Sequence, residues 1–251
     1  MIDYVPTLTY SVQDAMAVVT PFLLYASLIV GFSRARAASH EIADVSARKV
    51  SAGILAFGTA HVAAAAIPGI LGFYGRDPIG GTVYIAVVIA AVLIATTIVA
   101  TSSRAFRTAW LHIPHAWLIG AHALRVIPGI VFLATHEMGL VPAANAIPAG
   151  YGDIAAGLLA VPVALALAAR RPGAHHFAVA WNIFGLADLF WAVGSGMVLI
   201  PRRALEIMET QGAAPHLDHL YVLPAAPVVL WVAMHVLLIW SLSTRRYPEA
   251  G

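Results

Sequence analysis

Residues 82–102 read TVYIAVVIAAVLIATTIVATS. These residues include no charge, no proline and no glycine, and the only polar side chains among them are threonine, serine and tyrosine. A helix of that length rises about 31 Å at 1.5 Å per residue, which matches the hydrocarbon core of a bilayer. The apolar residues do not alternate with polar ones, so the stretch is not a strand of a transmembrane barrel. A helix pairs its own backbone groups and is the open-ended element that lipid tolerates.

Six further apolar runs of comparable length flank this one, at 15–33, 50–73, 115–134, 153–169, 177–199 and 220–243. The expected fold is therefore all-α, a polytopic transmembrane bundle of seven spans forming one domain over 1–251. Composition agrees: 61% of the 251 residues are hydrophobic and 10% charged, with a mean hydropathy of +0.85. An average soluble chain carries roughly 25% charged residues. A water-soluble enzyme or disulfide scaffold is excluded on these grounds, and the absence of cysteine removes thiolate and Fe–S chemistry. The net charge of +2 does not point to nucleic acid, because the arginines sit at the ends of apolar runs.

The basic residues also set orientation. Arg34, Arg36, Arg48, Lys49, Arg104, Arg107, Arg170, Arg171, Arg245 and Arg246 lie on one side of the seven runs, against Arg76, Arg202 and Arg203 on the other. Ten against three places the N-terminus outside and the C-terminus in the cytoplasm. The location expected is a bacterial inner membrane, with the lipid bilayer as the first partner. No cleavable signal peptide is expected, because the residues ahead of the first run include Asp3 and Asp14 and no Lys or Arg. Arg202 to Glu209 reads as an amphipathic helix lying on the outer surface. The connection from His136 to Gly152 reads as a Pro- and Gly-rich loop.

An ionisable side chain inside a span is costly and needs a reason. Arg125 and Asp188 each fall near the middle of a run, so they form a candidate midplane pair, joined in the candidate site by Asn182 and His122. Asp153 belongs to the same set by position, although Tyr151-Gly152-Asp153 reads as a helix N-cap at the interface. Such a pair serves either as a structural ion pair or as a site for a small molecule, an anion or protons, and the residue types leave both readings open.

Histidines suggest an alternative. His61 and His122 occur at similar depth in two spans and have the chemistry to ligate a b-type haem axially. His235 lies deeper and pairs less obviously. A third cluster, His216, Asp218 and His219, has donors acceptable to zinc or copper at the outer surface, with His136, Glu137 and Asp77 in other outer loops. Rhodopsin chemistry is excluded, because the only lysine is Lys49 in a cytoplasmic loop. Spans two and four share Ala-His followed by Ile-Pro-Gly-Ile, at 60–70 and 121–130; duplication and coincidence both remain open.

Arg125, Pro128-Gly129, Phe132-Leu133, Gly139-Leu140-Val141-Pro142 and Gly150 to Gly157 resemble a family of uncharacterised bacterial multi-span membrane proteins. Trp181-Asn182, Gly185 and Asp188-Leu189 continue the pattern, which covers about a third of the chain. The resemblance implies a helical membrane bundle and no particular reaction. It draws attention to Arg125, Asp153 and Asp188, and it leaves out His61, His122 and His235. A non-catalytic subunit or assembly factor of a membrane complex is the remaining functional reading.

Overall fold

The computed structural model describes residues 4–38, 44–211 and 218–244, with side chains over 19–37, 48–210 and 220–244. Among these residues the chain is all-α, with no strand. Eleven α-helices follow in order: α1 Tyr4–Ala38, α2 Asp44–Ile70, α3 Phe73–Arg76, α4 Pro78–Ser102, α5 Arg104–His112, α6 His115–Ala121, α7 Val126–Glu137, α8 Ala143–Ala168, α9 Ala174–Gln211, α10 Asp218–Leu223 and α11 Val229–Thr244. A 3-10 turn, His122–Arg125, joins α6 to α7, and a π turn, Pro224–Val228, joins α10 to α11.

Six stretches are long and apolar enough to cross a membrane: Arg48–Ile70, Pro78–Ser102, His115–Glu137, Ala143–Ala168, Ala174–Thr210 and Leu220–Thr244. They coincide with six of the seven expected spans. The remaining run, 15–33, lies within α1, whose side chains before residue 19 are outside the described ones. The stretch ending in α11 is the hub, with 83% of its apolar window buried, against 11% for α4 at the periphery. Large apolar side chains such as Ile79, Val87, Ile94 and Phe177 cover the outside. That is the reverse of a water-soluble surface, and it suits lipid contact.

Two expectations are corrected. The segment 136–152 is not a long loop, because α8 begins at Ala143 and runs through Pro148 and Pro162. Proline and glycine are tolerated in such helices when neighbouring helices and side chains satisfy the freed backbone groups. Residues 202–209 do not form a separate surface helix; they are the end of α9, which continues through Pro201. The short connection that does exist closes α7 with Gly139 at φ 71, where Leu140 N donates to Thr135 O at 3.1 Å and Gly139 N to His136 O at 2.8 Å. A left-handed residue closing a helix in this way favours glycine.

α7 and α8 are drawn together by glycine. A Cβ at Gly129 would sit 2.7 Å from the Gly150 carbonyl oxygen, and one at Gly157 would sit 2.8 Å from the Val126 side chain. Close backbone approach through small residues is the usual packing device where lipid supplies no hydrophobic drive. This crossing sets Arg125, at the start of α7, against Asp153 on α8.

Candidate functional site

Arg125 is fully buried. Along α6–α7 and α8, Arg125 and Asp153 fall between residues of one apolar core (Leu118, Ala160) and residues of a second (Val131, Ala149). The guanidinium donates through all three nitrogens. Nε donates to Asp153 Oδ1 at 2.8 Å, and Nη2 donates to Asp188 Oδ2. Nη1 donates to the Gly185 carbonyl at 3.1 Å and to His235 Nε2 at 3.1 Å. One cation thus bridges α8, α9 and α11.

The hydrogen bonds also fix the histidine tautomers. Arg125 has donors only, so His235 Nε2 carries a lone pair and Nδ1 carries the hydrogen. That Nδ1–H donates to Asn182 Oδ1, while Asn182 Nδ2 donates to the His235 carbonyl at 3.2 Å. Asn182 therefore aims His235 at the guanidinium. His122, one 3-10 turn ahead of Arg125, donates Nδ1–H to Leu118 O at 3.0 Å. Its ring lies 4.4 Å from that of His235 and edge-on to Trp181 at 5.0 Å. Trp181 is anchored in turn by Nε1 donating to Ala156 O at 2.9 Å. His122 Nε2 and Asp153 Oδ2 are buried acceptors with no hydrogen-bond partner among the described residues.

Glycines make the room. A Cβ at Gly152 would collide with the Asp188 carboxylate, and one at Gly185 would lie 2.6 Å from His235 Cε1 and 2.9 Å from Arg125 Nη1. Asp188 is the outermost member of the set, with 7% of its side chain accessible against none for Asp153.

Every expected midplane residue is brought together: Arg125, Asp188, Asn182, His122 and Asp153. Two roles need correction. Asp153 is not an interfacial N-cap, since it lies well inside α8 and is wholly buried against Arg125. His235 does not sit apart; it touches the guanidinium. The expected pairing of His61 with His122 for haem is not formed among the described contacts. His61 Nδ1 accepts from Tyr25 Oη at 2.8 Å and Nε2 donates to Ala225 O at 2.6 Å, so neither nitrogen is free for iron. His216, Asp218 and His219 lie outside the described side chains. Of the other outer residues, Asp77 caps α4 by accepting from Gly80 N at 2.9 Å, and His136 Nδ1 donates to Val141 O at 2.9 Å. No group of three or more metal-ligating side chains occurs among the described residues.

The fold and the site define a helical bundle with several helices of membrane-crossing length packed around a buried Arg–Asp–Asp cluster. The chain belongs to the family described as "Domain of unknown function (DUF8737)", whose model matches residues 81–243. That span contains the whole Arg125 cluster and leaves out α1, α2 and His61. No curated protein and no solved structure matches.

Proposed function

We propose that the chain is a seven-span inner-membrane protein, N-terminus outside and C-terminus cytoplasmic, whose Arg125 cluster is a midplane proton-binding site. The observation that carries the site is the charge count. One guanidinium faces two carboxylates, and both neighbouring histidines are hydrogen-bonded in the neutral form. With both carboxyls ionised the cluster holds one net negative charge, which lipid opposes. It is neutral when one carboxyl carries a proton. An anion as cargo is disfavoured, because the guanidinium is already engaged by two carboxylates, a carbonyl and an imidazole.

Asp188 is the carboxyl that exchanges, being the one with an accessible edge, and Asp153 is the fixed partner. The test is infrared difference spectroscopy of the reconstituted chain across a pH step. A protonated-carboxyl band should appear in the parent and vanish in Asp188→Asn. In Asp153→Asn, where a single carboxylate already balances the guanidinium, it should move to lower pH or be lost. A parent with no such band at any pH at which the chain stays folded would refute the proposal and leave the cluster a structural clamp.

A further inference from the structure

Helices α1, α2, α5 and α11 enclose an apolar cavity of about 90 Å³, away from the Arg125 cluster. Its wall on α1 runs from Tyr25 to Phe32, and on α2 from Phe57 to Val50. Both stretches are eight residues long, which span about 10 Å at 1.5 Å per residue. The helices pair in opposite senses, since α2 starts six residues after α1 ends and packs against it; a Cβ at Gly58 would meet the Tyr25 ring at 2.8 Å. Tyr25 and Phe57 therefore mark one end, and Phe32 and Val50 the other. Trp110 and Leu237 also line it, and Trp110 Nε1 donates to Leu237 O at 3.2 Å.

The two ends differ in charge. At the Tyr25 end, the hydroxyl is engaged by His61. Just past the Phe32 and Val50 end come Arg34 and Arg36 on α1 and Arg48 and Lys49 on α2, while Arg104 and Arg107 flank the lining residue Phe106 on α5. Of these, Arg34, Arg36, Arg48, Lys49 and Arg104 are exposed. The sequence sets Glu41 and Asp44 against those six. Cations of three helices thus adjoin the lining of a cavity whose walls are mostly hydrocarbon.

We infer that this cavity holds the headgroup-proximal segment of one acyl chain of an anionic phospholipid, with the phosphate on the basic mouth formed by Arg48, Lys49 and Arg104. The walls match a hydrocarbon tail, and clustered cations beside a span match an anionic headgroup. A zwitterionic lipid fits the walls equally well but gains little from the mouth. The inference is independent of the proton site, and its failure would leave that reading untouched.

The whole chain is reconstituted in phosphatidylcholine discs doped with phosphatidylglycerol brominated along its acyl chains, or with phosphatidylcholine brominated in the same way. Bromine quenches tryptophan on contact, and the Trp110 signal is isolated by comparison with Trp110→Phe. Phosphatidylglycerol should quench Trp110 preferentially, and the preference should fall about five-fold for each charge removed in Arg48→Gln, Lys49→Gln and Arg104→Gln. Ala233→Phe, which fills the cavity, should abolish quenching of Trp110 by either lipid. Equal quenching by the two lipids, or a preference that survives loss of all three charges, overturns the inference. Native mass spectrometry of the unmodified chain gives a second measurement that no variant's misfolding can confuse. One phosphatidylglycerol should stay bound after delipidating washes, and retention of none overturns the inference.

Discussion

Arg125 is engaged at each nitrogen by a different partner, so its removal costs more than one ion pair. Arg125→Gln leaves two buried carboxyl groups, one of them ionised, without a counter-charge, a loss of about 3–5 kcal/mol by analogy with broken buried pairs. The expected outcome is loss of the monodisperse folded species on size-exclusion chromatography in mild detergent. Arg125→Lys should not rescue it, since an ammonium cannot reproduce the planar fork that reaches Asp153 and Asp188 together. Exchanging Arg125 and Asp188 should fail as well, because Asp153 would then face a carboxylate at 125. A folded, stable swap would show that Asp153 does not depend on Arg125. Gly185→Ala tests the packing alone: its Cβ would press on His235 and Arg125, and overpacking of this kind costs about 1–3 kcal/mol, readable as a lowered Tm.

At the scale of elements, the spans were legible because hydropathy reports lipid exposure directly, and α4 is the clearest case. Arg125 and Asp188 stood out because a charge in an apolar run is too costly to persist without a partner or a task. Asp153 was misplaced because Pro142, Pro148 and Gly150 carry turn signals in a water-soluble chain, whereas here Pro148 and Gly150 lie inside α8. His235 is set aside in the sequence on depth, and depth along a run does not say which helices face it; that run is also broken by the π turn at Pro224–Val228, which shifts its register. Such a turn also alters which carbonyls find helical partners, and His61 Nε2 supplies Ala225 O with a donor from another helix. His61→Ala should therefore lower the unfolding free energy by about 1–3 kcal/mol, measured by denaturation in detergent, with the carboxyl infrared band unchanged. At the other end of α8, Arg170 occupies a left-handed position at φ 51, with Arg171 N donating to Ala166 O at 3.0 Å. Arg170→Gly should raise stability by about 1 kcal/mol through relief of that strain, seen as a higher Tm.

For the whole molecule, orientation is the property to check. A reporter fused after Gly251 should be active only if it works in the cytoplasm, and reporters after Gly75 and near Gly212 only if they work outside. An outside signal from the C-terminal fusion would require an even number of spans and would remove the assigned sides of the bundle, though not the internal contacts of Arg125.

The length of α9 has a mechanical meaning. Its 38 residues reach about 57 Å, against a hydrocarbon core of about 30 Å. The helix that carries Asp188 is therefore longer than the lipid core is thick, and its far part bears the exposed Arg203–Glu206 pair. That part is tethered where Arg203 Nε donates to Gly139 O at 2.9 Å, at the turn between α7 and α8. Pro201 is the one interruption of helical hydrogen bonding between Asp188 and this handle. Asp188 lies about 20 Å before Pro201 and the end of the handle about 15 Å after it at 1.5 Å per residue, so a load applied to residues 202–211 reaches Asp188 only through the point where Pro201 breaks the hydrogen bonding of the rod.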